Sequence, residues 1–146
     1  MAVESSERNV LVCEDDPAMV RIFQFLLRQQ GIRNVLTTGK GDQAAPLARQ
    51  HKPSLILLDL MLPGKDGLDV LKELKEDEET RLIPVIVVSG KESHEQVRQA
   101  MMAGAIDYVI KPFEPMELGA RIRSFLDTLT EPPSGGPSPA ESGGLR

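Results

Sequence analysis

The chain has one cysteine, one tyrosine, four phenylalanines and no tryptophan in 146 residues. A lone Cys13 cannot close an internal disulfide, which excludes a disulfide-stapled scaffold, and 3% aromatic residues imply a mostly aliphatic core. Apolar runs reach only four or five residues, far short of the roughly 20 that a membrane helix needs. No N-terminal stretch joins basic residues to an apolar run as a secretory signal would, so a soluble cytoplasmic protein with no membrane partner is expected. Clustered basic charge is missing as well. With 17 Lys and Arg against 22 Asp and Glu the net charge is −5, and the pI is near 5.1. Phosphate neutralisation needs grouped Lys and Arg, so direct nucleic-acid binding is not expected, and a protein or metal partner is favoured.

What is present is ordinary for a globular domain: 40% hydrophobic and 27% charged residues, in a chain long enough for one domain. Short apolar runs at Val10 to Cys13, Val35 to Thr37, Leu55 to Leu58, Val85 to Val88 and Tyr108 to Ile110 are too short for helices and suit strands. Amphipathic segments follow them, carrying Met19, Ile22, Phe23 and Leu26; then Leu68, Leu71 and Leu74; then Val97, Ala100 and Met101. The last segment places Leu118, Ile122, Phe125, Leu126 and Leu129 at helical spacing. Helix starts are marked by Pro17, Ser93 and Pro115, and Pro46 falls about one turn into a second helix over Asp42 to Gln50. Strand and helix alternate five times, which predicts an α/β fold with a parallel sheet covered on both faces. From residue 131 onward, eleven of sixteen residues are Pro, Gly or Ser, so 131–146 reads as a flexible tail or linker, and the chain as a possible excerpt of a longer protein.

One carboxylate raises a question. Asp59 follows an unbroken apolar run, although a buried unpaired carboxylate costs several kcal/mol or shifts its pKa upward. In an open α/β sheet, ligands sit beyond the carboxyl ends of the strands, where Glu14, Asp15, Asp16, Asp59, Ser89 and Lys111 all fall. Taken singly, Asp16 could cap the next helix, Ser89 could cap a loop, and Lys111 could be a surface lysine held extended by Pro112. Taken together, hard oxygen ligands suit Mg²⁺, and a carboxylate nucleophile beside a cation, a hydroxyl and a lysine describes phosphoryl transfer to Asp59.

These residues lie in "VLVCEDDP", "LILLDLMLPGKDG", "IPVIVVSG" and "GAIDYVIKPF", with Ser89 and Lys111 following Asp59 by 30 and 52 residues. Over about residues 7 to 130 the chain resembles the receiver domain of two-component response regulators, of the chemotaxis-regulator kind. The resemblance implies a flavodoxin-like, doubly wound five-stranded parallel sheet in the order 2-1-3-4-5 with five helices. It implies a phosphorylation-dependent signalling switch rather than an enzyme, with Asp59 accepting phosphate from a histidine kinase or phosphotransfer protein. Registering Pro17 and Gly31 against the family makes Glu14 and Asp15 the acid pair, Asp15 binding Mg²⁺ directly and Glu14 through water. Asp16 is then a further candidate ligand, and pairing Asp15 with Asp16 is one residue away. The backbone carbonyl of Met61 is the implied third protein ligand. Ser89 and Tyr108 are the implied switch, and output would pass through the face of the fourth helix, fifth strand and last helix, with Lys91, His94, Arg98, Tyr108 and Arg121.

Two other classes compete with this one. A phosphatase using an aspartyl nucleophile usually needs a second carboxylate two residues on, where this chain has Met61. A phosphorylation-independent scaffold would not need the complete set of acids, hydroxyl and lysine. Cys13 suits a small buried hydrophobe, and His51 and His94 lack a second ligand at metal spacing.

Overall fold

The structure, a computed structural model, describes residues 8–130, together with the side chains up to residue 128. The predicted tail 131–146 and the side chain of Leu129, the last apolar position of the final helix, lie outside that description. Five parallel strands, β1 (Asn9–Cys13), β2 (Asn34–Thr38), β3 (Leu55–Leu58), β4 (Val85–Ser89) and β5 (Asp107–Ile110), line up in the order β2-β1-β3-β4-β5. Five helices connect or follow them: α1 (Pro17–Gln29), α2 (Ala44–His51), α3 (Gly67–Glu76), α4 (His94–Ala103) and α5 (Pro115–Thr130). The fold is the flavodoxin-like arrangement that the resemblance implied.

Strand position explains how loudly each strand speaks in the sequence. The three central strands are buried along almost their whole length and are almost purely aliphatic. The outermost strand β2 is half exposed, so its sequence NVLTT carries polar residues and a weak apolar signal. It nevertheless pairs with β1 over all five residues, Asn9 with Asn34 through Cys13 with Thr38.

Alternating side chains divide the sheet into two cores. Leu11, Cys13, Ile56, Leu58, Val85 and Val87 face α2, α3 and α4. Val10, Val12, Leu55, Leu57, Ile86 and Val88 face α1 and α5, where Phe23, Leu26, Leu27, Leu118, Ile122 and Leu126 are buried. Burial of this kind contributes about 1.5–3 kcal/mol for each large aliphatic side chain relative to its exposed state. Cys13 belongs to this packing, and burial pushes its thiol up to about 12, so it is a filler and not a nucleophile. Among the described residues, no helix is long and apolar enough to cross a membrane.

Pro46 is accommodated by a shift of the helix start. A short 3₁₀ turn over Gly41–Gln43 precedes α2, so Pro46 is the third residue of the helix. The first four amides of an α-helix have no partner within it, and the missing N–H costs nothing there. The other starts are capped by side chains: Asp16 accepts from Ala18 N at 3.0 Å, Asp66 from Leu68 N at 2.9 Å and Ser93 from Gln96 N at 3.1 Å.

Candidate functional site

The strands end level with one another, and that alignment assembles the site. Beyond their last pairs, Glu14 N donates to Thr38 O at 2.9 Å, Asp59 N to Cys13 O at 3.0 Å and Lys111 N to Ser89 O at 2.9 Å. Each polar residue therefore stands at the same edge, one residue past or at the end of an aliphatic strand. The β3–α3 loop turns sharply at Asp59, whose Oδ1 accepts from Met61 N at 2.9 Å. The loop then folds back so tightly that a Cβ on Gly67 would lie 2.3 Å from Leu60 Cα. Only glycine permits that approach.

Lys111 joins the acids. Its Nζ donates to Glu14 Oε1 at 2.7 Å and to Asp59 Oδ2 at 2.9 Å. Glu14 is 3% exposed and Asp59 6%, so this is a nearly buried triad of two carboxylates and one ammonium. Burial pushes the Glu14 carboxyl above its ordinary range, and the hydrogen bonds from Lys111 and from Asp16 N only partly offset it. Burial pulls Lys111 down, but its hydrogen bonds to Glu14 and Asp59 and their charges together hold the ammonium above its usual value.

That imbalance has a measurable consequence. A carboxyl whose folded pKa is raised lowers stability once it ionises, so the cost of Glu14 is present at neutral pH and absent below the unfolded value of 4.5. Glu14→Gln should therefore raise the apo protein's Tm at pH 7, with the gain shrinking as pH falls and vanishing below about pH 4.5. Thermal melts across that range check it; a gain that grows in acid would contradict it.

Carboxylate oxygens of Glu14, Asp15 and Asp59 all lie within 4.8 Å of one another, with Asp15 exposed at the mouth. Two acids held this close by a single lysine leave negative charge uncompensated, and an all-oxygen set with an open side fits Mg²⁺. Asp16 is placed differently. Its carboxylate caps α1 and its amide donates to Glu14 Oε2 at 3.1 Å, so it stands outside the cluster, as one of the alternatives read from "EDDP" had it.

Ser89 is fully buried at the end of β4, its Oγ accepting from Lys91 N at 3.3 Å. Tyr108, half buried on β5, donates from its hydroxyl to Lys91 O at 2.6 Å. Burial raises the Tyr108 phenol above its ordinary value, with the Ser89 hydroxyl acting in the opposite sense. Serine, tyrosine and the β4–α4 loop thus meet at Lys91. The Gly90 position between them is open, and a Cβ there would meet nothing within 4 Å.

The sequence reading missed the β2–α2 connection. Thr38 is buried, and Gly39 packs against Asp15, a Cβ there lying 3.4 Å from Asp15 Cα. Its signal was the pair of glycines in "TTGKGD", which mark a close backbone approach that one sequence cannot assign to a neighbour.

Comparison with known proteins gives a consistent picture. The family model described as the response regulator receiver domain matches residues 10–123. A DNA-binding response regulator, MtrA of Mycolicibacterium smegmatis, is 36% identical over 132 residues, covering 90% of this chain and 56% of its own length. The BeF₃-activated receiver domain of RstA from Klebsiella pneumoniae superposes with a TM-score of 0.74 at 30% identity, covering 82% of this chain and 98% of that one. The receiver domain of a Pseudomonas aeruginosa sensor histidine kinase, solved with magnesium coordinated in its active-site cleft, gives 0.73 at 28% identity, with coverage of 82% and 98%. The chain spans about half the length of the curated relatives it matches.

Proposed function

The chain belongs to the response regulator receiver domain family, and from that premise we propose that it is a phosphorylation-dependent switch whose acceptor is Asp59. The observation that carries the reading is the bridge from Lys111 to both Glu14 and Asp59 at the edge of the sheet. A histidine kinase or phosphotransfer protein would supply the phosphoryl group from phosphohistidine. An Asp59 carboxylate oxygen attacks phosphorus, the N–P bond breaks with its electron pair going to the imidazole, and an acyl phosphate forms. Glu14 and Asp15, with Asp59 and the Met61 carbonyl, are the residues that would hold Mg²⁺. Such an ion would supply positive charge to the phosphoryl oxygens. Met61, two residues past Asp59, offers no general acid, which favours a signalling role over ester hydrolysis.

Lys111 would follow the new phosphoryl oxygens, because its compact ammonium already sits against Asp59. Ser89 would exchange its bond from Lys91 N for one to a phosphoryl oxygen, and Tyr108 would respond through the same loop. Full conversion needs the phosphorylated site to favour the active arrangement by roughly 5 kcal/mol. Output would pass through α4, β5 and α5. On that face Arg121 pairs with Asp107 at 2.8 Å and Arg98 with Glu95 at 2.6 Å, so both arginines are already held by neighbouring acids. MtrA is described as DNA-binding; for this unit, with net charge −5, we assign the output to a protein partner or domain.

The test is direct. With Mg²⁺ and beryllofluoride or a small acyl phosphate, the amide resonances of Ser89, Lys91 and Tyr108 should shift. An unchanged spectrum would overturn the proposal.

A further inference from the structure

The β2–α2 connection carries none of the groups assigned a chemical step, yet it lies between the two halves of the site. On one side Thr38 O accepts from Glu14 N at 2.9 Å and Gly39 packs against Asp15. On the other, Gly41 N donates to Pro63 O at 2.9 Å, in the loop that begins at Asp59 and carries Met61. The connection is stiffened from within, since Thr38 Oγ1 accepts from Lys40 N at 3.2 Å and donates to Gln43 Oε1 at 3.1 Å.

Its contact with the β3–α3 loop is closest at the Lys65 carbonyl. A Cβ on Gly41 would stand 2.7 Å from Lys65 O and 3.3 Å from Val70 Cγ2. Gly64, in the left-handed region at φ +96°, presents its own Cα to Asp42, where a Cβ would meet Oδ1 at 2.6 Å. The Lys65 carbonyl, being backbone, cannot step aside as a flexible side chain could. Bulk at Gly41 must therefore displace the connection and the Pro63–Lys65 segment relative to each other, and the Met61 loop is continuous with that segment.

We propose that residues 38–43 act as a spacer that fixes the separation between the Glu14–Asp15 acids and the Met61 loop, with Gly41 the positioning residue at the point of contact. The inference rests on reading the acids and Met61 as a Mg²⁺ site. A spacer of this kind governs ion choice as well as affinity. Mg²⁺ demands near-octahedral oxygen ligands at roughly 2.0–2.1 Å, whereas Ca²⁺ accepts irregular shells at roughly 2.3–2.6 Å.

Calorimetric titration of the chain with Mg²⁺ and with Ca²⁺ tests it. Gly41→Ala should weaken Mg²⁺ binding roughly 10-fold, the scale seen when groups supporting metal ligands are removed, while Ca²⁺ binding falls by less than about threefold. Thr38→Val, which loosens the connection without adding bulk at the contact, should move the ratio in the same direction by less. The control is Gly104→Ala, at φ +116° with a Cβ 2.9 Å from Lys75 Cγ at the opposite end of the sheet; it should lower the melting temperature and leave the ion ratio unchanged. If Gly41→Ala does not fold, Thr38→Val decides. Variants that keep wild-type affinities, or lose both ions in equal proportion, overturn the spacer while the site reading stands. A wild-type chain that binds no Mg²⁺ overturns both.

Discussion

Asp59→Asn is expected to abolish phosphoryl uptake from an acyl-phosphate donor, a loss on the order of 10⁴-fold or more, as befits removal of a nucleophile. The amide is nearly isosteric, so its carbonyl can keep the bond from Met61 N, and the backbone bond from Asp59 N to Cys13 O is untouched. It loses the charge that faces Lys111, but it also removes a carboxylate held beside Glu14. The fold should therefore survive and the chemistry should not. Intact-mass measurement after incubation with donor and Mg²⁺ separates these: the wild-type chain gains one phosphoryl group and the variant none. A variant that still gained one would move the acceptor elsewhere.

Lys111→Met should have the largest effect on stability. Lys111 is the cation that the structure sets between Glu14 and Asp59, whose side chains are 1% and 7% exposed. Removing one partner from a buried ionic group leaves uncompensated charge and costs about 3 kcal/mol, the low end of the usual range because one flank of the site is open. In a domain of this size that is a fall of about 10 °C in Tm. The pH dependence follows in sign. Without the lysine, the burial that raises the Glu14 carboxyl loses its main offset, so stability is lost as pH rises through the raised pKa and regained in acid. The deficit should be greatest at neutral pH and narrow toward pH 4, and Mg²⁺ should restore part of it by supplying positive charge to the folded state alone. Melts with and without Mg²⁺ at both pH values measure it; a deficit that widened in acid would rule out the electrostatic cause. Glu14→Gln has the opposite sign at neutral pH, which makes the two variants a matched pair.

Much of the fold was legible because the central strands are buried on both faces. Leu55–Leu58 and Val85–Val88 can be little else when helical-period segments follow each of them. The edges were harder to read. Strand β2 is half exposed, so its polar residues obscured two of its five positions, and α2 began two residues late because a 3₁₀ turn takes up Gly41–Gln43. Pro46, which by its spacing would interrupt a helix, in fact lies in the first turn of one.

The residues proposed for the site could be named from the sequence because each stands next to an aliphatic strand, and parallel strands of similar length end at one edge. Periodicity and spacing therefore determined the fold class and the edge at which Asp59, Ser89 and Lys111 fall. They could not decide partners, since two residues 52 or 97 positions apart meet only through the register of the sheet. Tertiary structure alone made Lys111 the shared partner of Glu14 and Asp59, brought Tyr108 to Lys91 and laid Gly41 against the Pro63–Lys65 backbone. Side-chain chemistry is written residue by residue along the chain, whereas distance and desolvation are properties of how strands, helices and loops pack together.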